Sequence, residues 1–132
     1  MDKNLLGFLN PTRKENLKMA VSDAFKDETG KPLVWELREL PSKEALEVSR
    51  NYANSIPGEV LAAQMAQALV VPNIRDKEFL EALSKREGKT ILKPLDALLA
   101  LLTNSEYATL ATAYMEYCSS GSFTEQIEEA KN

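Results

Sequence analysis

Apolar and polar positions alternate in the early part of the chain and then recur every three or four residues. Leu33, Trp35 and Leu37 alternate with Val34, Glu36 and Arg38. A period of two is that of a strand with one buried face. Met19, Val21 and Ala24-Phe25 precede the polar stretch Asp27-Glu28-Thr29-Gly30-Lys31. Gly30 supplies the permissive backbone of a tight connection, and Pro32 falls at a strand start rather than inside one. The pattern predicts a β-hairpin within residues 19–40. Trp35 belongs to the inward face of that hairpin, as core or as a ligand platform.

After Leu40-Pro41 the period lengthens. Ser42 is placed to cap a helix, Glu44 suits its first turn, and Ala45, Val48, Ser49 and Tyr52 share one face, with Pro57-Gly58 as the stop. A second helix is expected from Glu59 to about Val71, with Val60, Leu61, Met65, Ala68 and Leu69 among small alanines. Pro72-Asn73 interrupts it. Asp76 then caps a third helix with Phe79, Leu80 and Leu83 on its apolar face, and Gly88 ends that one. Pro94 suits the first turn of a fourth helix, which carries Leu95, Leu98, Leu99, Leu101 and Leu102. Thr103 or Asn104 caps a fifth, with Tyr107, Leu110, Ala111, Tyr114, Met115 and Cys118 at helical spacing. Ser122-Phe123-Thr124-Glu125 has the form of a capping box for a short, polar last helix.

The fold class expected is α+β: an N-terminal β-hairpin packed on a mainly helical domain of about five helices. Residues 1–18 form a flexible N-terminal arm, either loosely docked or used to bind a partner; 19–121 form one globular domain, and 122–132 a polar C-terminal tail. The length of 132 residues suits a single core. The apolar cluster Leu5, Leu6, Phe8 and Leu9, broken by Gly7 and Pro11, is too short for a signal peptide or a membrane span. A lone cysteine, Cys118, allows no internal disulfide and fits a reducing compartment.

Candidate chemistry is sparse. The sequence has no histidine, so the commonest general base and metal ligand is missing. Gly88-Lys89-Thr90 resembles the end of a phosphate-binding loop, but Leu83 stands where that loop needs its earlier glycine. Asp23, Asp27 and Glu28, and again Glu36 and Glu39, cluster on a hairpin rim and read as a charged surface; they lack the spacing of a calcium loop. Cys118 has no histidine to activate it and reads as structural. No catalytic residue, metal or cofactor is expected.

Lys85, Arg86, Lys89 and Lys93 make one basic cluster. A small regulatory domain that binds nucleic acid through residues 85–93 is therefore the alternative function. Against it, a helix C-terminus favours cations anyway, no aromatic is interleaved for stacking, and the formal charge of -4 opposes generic nucleic-acid coating. The run from Leu95 to Leu102 lacks the polar face of an ordinary surface helix, so one side is either buried in the domain or offered to a partner. Tyr107, Tyr114 and Tyr117 fit an interaction face, the first two also a core stripe.

The order of these signals resembles the tail assembly chaperones of long-tailed phages and defective prophages, the XkdN-like group. The resemblance lies in Phe25-Lys26-Asp27-Glu28-Thr29-Gly30-Lys31-Pro32 before an alternating strand and in Leu40-Pro41-Ser42-Lys43-Glu44 opening a helix. It continues in Val70-Val71-Pro72-Asn73-Ile74-Arg75-Asp76-Lys77-Glu78-Phe79-Leu80 and in Leu101-Leu102 with Glu106-Tyr107-Ala108-Thr109-Leu110. It implies a non-enzymatic protein that binds the helical tape measure protein and keeps it soluble until tail tube subunits polymerise around it. It further implies a place in the bacterial host cytoplasm, absence from the mature virion, and a longer, frameshifted form of the same chain as a second partner. Neither a membrane nor nucleic acid is an expected partner. On this reading the client-binding residues are Leu95, Leu98, Leu99, Leu102 and Tyr107, then Met65 and Leu69, with leucine and methionine walls adapting to a client helix.

Overall fold

Leu17, Met19, Trp35 and Leu37 all turn to one side because strand side chains alternate. They lie on β1 (Leu17–Ala20) and β2 (Val34–Leu37), which pair antiparallel with Leu17 opposite Leu37 and Met19 opposite Trp35. Their common face meets the helices, and Trp35 and Leu37 are buried there. The expected hairpin is present in this computed structural model, which describes residues 1–119. The helix expected from Ser122, and with it the polar tail, lies outside the described residues.

The strands are joined by a long, folded connection, 21–33. At its tip the Asp27 carboxylate accepts hydrogen bonds from the Thr29 amide (2.8 Å), the Thr29 hydroxyl (2.6 Å) and the Lys31 amide (3.0 Å). Gly30 takes the left-handed conformation this turn requires, φ 88°. Further back, Phe25 meets Trp35 edge-on, with ring centroids 5.2 Å apart.

Two elements depart from the expected boundaries. The second helix, α3, stops at Ala68, and Leu69–Val71 forms a third strand, β3, antiparallel to β2 on its other side, giving the sheet order β1-β2-β3. Val71 precedes Pro72, which disfavours helix, and Val70 and Val71 are β-branched; pairing with the free edge of β2 decides for strand. Leu69 faces Leu37 and Val71 faces Glu36, so Val70 is an extra residue in the ladder, a local bulge. The first helix, α2 (Ser42–Asn51), ends well before Pro57, since the backbone turns from Tyr52 onward. Ser42 is its first residue and makes no capping bond, Pro41 being at the cap position.

In the expected arm, residues 3–9 form a helix, α1 (Lys3–Leu9), capped by Asp2, and it buries no side chain. Its length is well below what an isolated helix needs to be stable in water. The strand after it begins at Leu17, two residues inside the range assigned to the arm.

The remaining helices start and stop where their capping residues fall. In α4 (Lys77–Glu87) the Asp76 carboxylate accepts from the Phe79 amide at 2.9 Å, and Gly88 closes the helix at φ 71°. In α5 (Pro94–Leu101) proline sits at the first position, where its missing N–H costs nothing. In α6 (Asn104–Cys118) Thr103 and Glu106 form a reciprocal capping box. Around the sheet, α3 packs on α2, α5 and α6, and α5 also meets α4. Met65, Ile74, Ile91, Leu98 and Leu110 fill the centre with Leu37. The architecture is α+β, a small antiparallel sheet against a helical body.

Candidate functional site

The apolar run of α5 divides by helix geometry into a buried and an open side. Residues three and four apart share a face, and Leu95 and Leu98, with Ala97, are buried against the body. Leu99 points the other way and is 47% exposed. Leu102, at the end of α5, and Tyr107, in the first turns of α6, are half-buried against the core. Met65 on α3 and Leu69 on β3 are buried. Of the seven candidate partner residues, Met65, Leu69, Leu95 and Leu98 are thus packing residues in this conformation and offer a partner no area. Leu99, Leu102 and Tyr107 remain accessible. The signal in the sequence that separates the two sets is Asp96, exposed and three residues before Leu99 on the same face of α5; the leucine run alone names no inner face.

Beneath this corner Glu106 fixes the connection between β1 and β2 to α6. Its carboxylate accepts from the Ser22 hydroxyl (2.6 Å) and the Thr103 amide (2.8 Å). The Ser22 bond foremost, then the Thr103 amide, lowers the Glu106 pKa. Burial raises the Tyr107 phenol above its ordinary range. Tyr114 is buried and pushed further up, first by desolvation.

Other candidate residues have structural partners. Trp35 is core, not a platform. Asp27 builds its turn, and Glu36 accepts from the Asn16 amide nitrogen at 2.9 Å. Cys118 is exposed at the end of α6 rather than part of its packed face. Lys85 and Arg86 occupy the last turn of α4, and Arg86 is tied to the Ala100 carbonyl (3.0 Å) and to Glu87 (3.3 Å). Among the described residues no three His, Cys, Asp or Glu side chains converge as a metal site, and no helix is long and apolar enough to cross a membrane.

A polar cleft of about 400 Å³ lies between the N-terminal segment, the entry to α2 and the end of α6. Arg38 donates to both carboxylate oxygens of Glu44 (2.9 and 2.7 Å), and Gln67 adds a third bond at 2.8 Å. This fork holds the Glu44 carboxyl at about 2, the Arg38 bonds contributing first and Gln67 next. Lys14 pairs with Glu39 at 3.3 Å across the same cleft. Lys14, Glu39 and Arg38 are each paired within the protein, so this side of the cleft reads as a strap between elements. Sequence reasoning missed this network, although Arg38 and Glu44 flank the Pro41 turn within reach of each other.

Together these features define an α+β protein in which, of the candidate partner residues, Leu99 is exposed and Leu102 and Tyr107 are half-buried. The profile of the phage XkdN-like tail assembly chaperone proteins matches residues 5–131, and the chain belongs to that family. The fold is shared with the protein YqbN: its crystal structure superposes with a TM-score of 0.69 at 16% identity, covering 90% of this chain and 97% of that one. No curated protein matches the sequence.

Proposed function

We propose that this tail assembly chaperone binds the tape measure protein and keeps it soluble until the tail tube assembles around it. The observation that carries this is the family match over residues 5–131. A long client helix exposes apolar surface until it is enclosed. A chaperone that covers such surface acts by binding, through Leu99, Leu102 and Tyr107, with Leu95, Leu98, Met65 and Leu69 packed in the body. The site of action is the bacterial cytoplasm, the protein leaves before the virion is complete, and a longer frameshifted form of the chain is a further partner.

Co-expression with the tape measure protein from the same genome tests both the function and the surface. The client is expected in the soluble fraction only with the chaperone, and a client equally soluble alone overturns the function. Leu99→Lys places a cation near a helix C-terminus, which the helix tolerates. It should weaken client capture about tenfold, or ~1.4 kcal/mol, with an unchanged melting curve. Undiminished capture overturns the surface and leaves the function standing.

A further inference from the structure

A second apolar surface lies between α4 and the segment that follows it. Half-buried Leu80 on α4 and exposed Leu92 line an open groove of about 460 Å³, with Ile91 of the core at its base. Leu92 is 75% exposed, a large area for an apolar side chain in a loop. The rim is basic: Arg75, Lys77 and Lys85 border the groove, against one carboxylate, Glu81. Among the described residues Lys77 and Lys85 have no carboxylate within ion-pair distance, while the Arg75 guanidinium donates to the Gln67 side-chain oxygen at 3.0 Å and its charge acts on Glu44. This is notable in a chain of net charge -4.

We propose that this groove docks an amphipathic protein helix bearing carboxylates beside its apolar ridge. The floor asks for apolar side chains, and Lys77 and Lys85, two cations to the single carboxylate of Glu81 on the α4 wall, ask for anions close to them. From Lys77 to Lys85 the α4 wall runs about 12 Å at 1.5 Å per residue, enough for two turns of a partner helix laid alongside. The groove is open along its length, which suits a helix ridge better than an enclosed small molecule. A nucleic acid would meet the rim charges, but no aromatic side chain lines the floor for its bases. The chain's own α1, though apolar and exposed, carries Lys3 and no carboxylate along its length, so its charge does not complement this rim. The inference rests on the groove itself and not on the client reading.

Two designed peptides test it on the full chain by fluorescence anisotropy. Both carry the same leucine ridge, one flanked by Glu and the other by Lys. The Glu peptide is expected to bind about tenfold or more tightly than the Lys peptide, with the gap narrowing as salt is added. Leu92→Glu should remove binding, and Lys77→Glu with Lys85→Glu should reverse the preference. All three side chains are exposed, so melting curves should stay those of the parent protein. Leu99→Lys should leave peptide binding intact. Equal binding of the two peptides, binding that survives Leu92→Glu, or loss through Leu99→Lys overturns the proposal. So does a Leu92-dependent dimer in sedimentation without peptide binding, which assigns the groove to a second copy. Binding of single-stranded DNA in place of the peptide also overturns it.

Discussion

Glu44 joins three elements through one carboxylate: it receives Arg38 from beyond β2 and Gln67 from α3 while sitting in the first turn of α2. A carboxylate held at about 2, below its ordinary 4.5, stabilises the fold fully above its unfolded value and loses that contribution as pH falls from about 4.5 towards 2. With a side chain 32% exposed, solvent screening limits the contribution to about 1 kcal/mol at neutral pH. Glu44→Gln should therefore lower stability by about that amount at pH 7, with the difference from the parent shrinking below pH 4.5. Urea denaturation at a series of pH values measures it; a gap that stays constant down to pH 2 refutes the linkage. Asp27 and Glu106 are shifted in the same direction by their own hydrogen bonds, so they steepen the acid limb of the parent and the variant alike.

At the scale of elements, α5 is the test of inside against outside. Leu98 is fully buried, and Leu98→Ala should cost about 2–5 kcal/mol, the transfer term plus a cavity. Leu99→Ala, one residue on, should change stability by less than about 0.5 kcal/mol. Chemical denaturation of the pair reads the orientation of the helix directly; equal losses would mean that Leu99 is packed. The sequence pattern placed α4, α5 and α6 well because Asp76, Gly88, Pro94 and Thr103 mark their ends with local chemistry. It missed β3 because Leu69-Val70-Val71 simply prolongs the apolar run of α3, and its strand character comes from a partner edge more than thirty positions earlier. The alternation of Trp35 and Leu37 was legible for the opposite reason: one face of β2 is buried along its whole length. For the candidate site, the pattern marked the Leu95–Leu102 run, while the division into Leu99 outside and Leu95 and Leu98 inside depends on which side of α5 meets α3. That is a tertiary fact.

At the scale of the whole molecule, α1 and the body are distinguishable by burial. The helix leaves Leu5, Leu6, Phe8 and Leu9 exposed and buries nothing, so deleting residues 1–10 should shift unfolding by less than about 0.5 kcal/mol. A larger loss, seen in the denaturation midpoint, would show that α1 packs on the body. The segment just after it behaves differently. The Lys14 ammonium lies 4.3 Å from the centre of the Tyr117 ring and donates to the Tyr117 carbonyl, and the Tyr117 hydroxyl donates to the Glu15 carbonyl at 2.9 Å. These contacts join positions at opposite ends of the described body, beside the polar cleft.

The Lys14–Tyr117 strap makes the chain path almost circular. A short linker from Ser119 back to Arg13 would close the ring without crossing the sheet or the helical core, and new ends could be opened in the exposed turn 53–58 between α2 and α3. A circular permutant built this way should keep the native fold by circular dichroism. It would also present both of its ends in the turn between α2 and α3, turning the order in which the chain is written into an adjustable property of the same architecture.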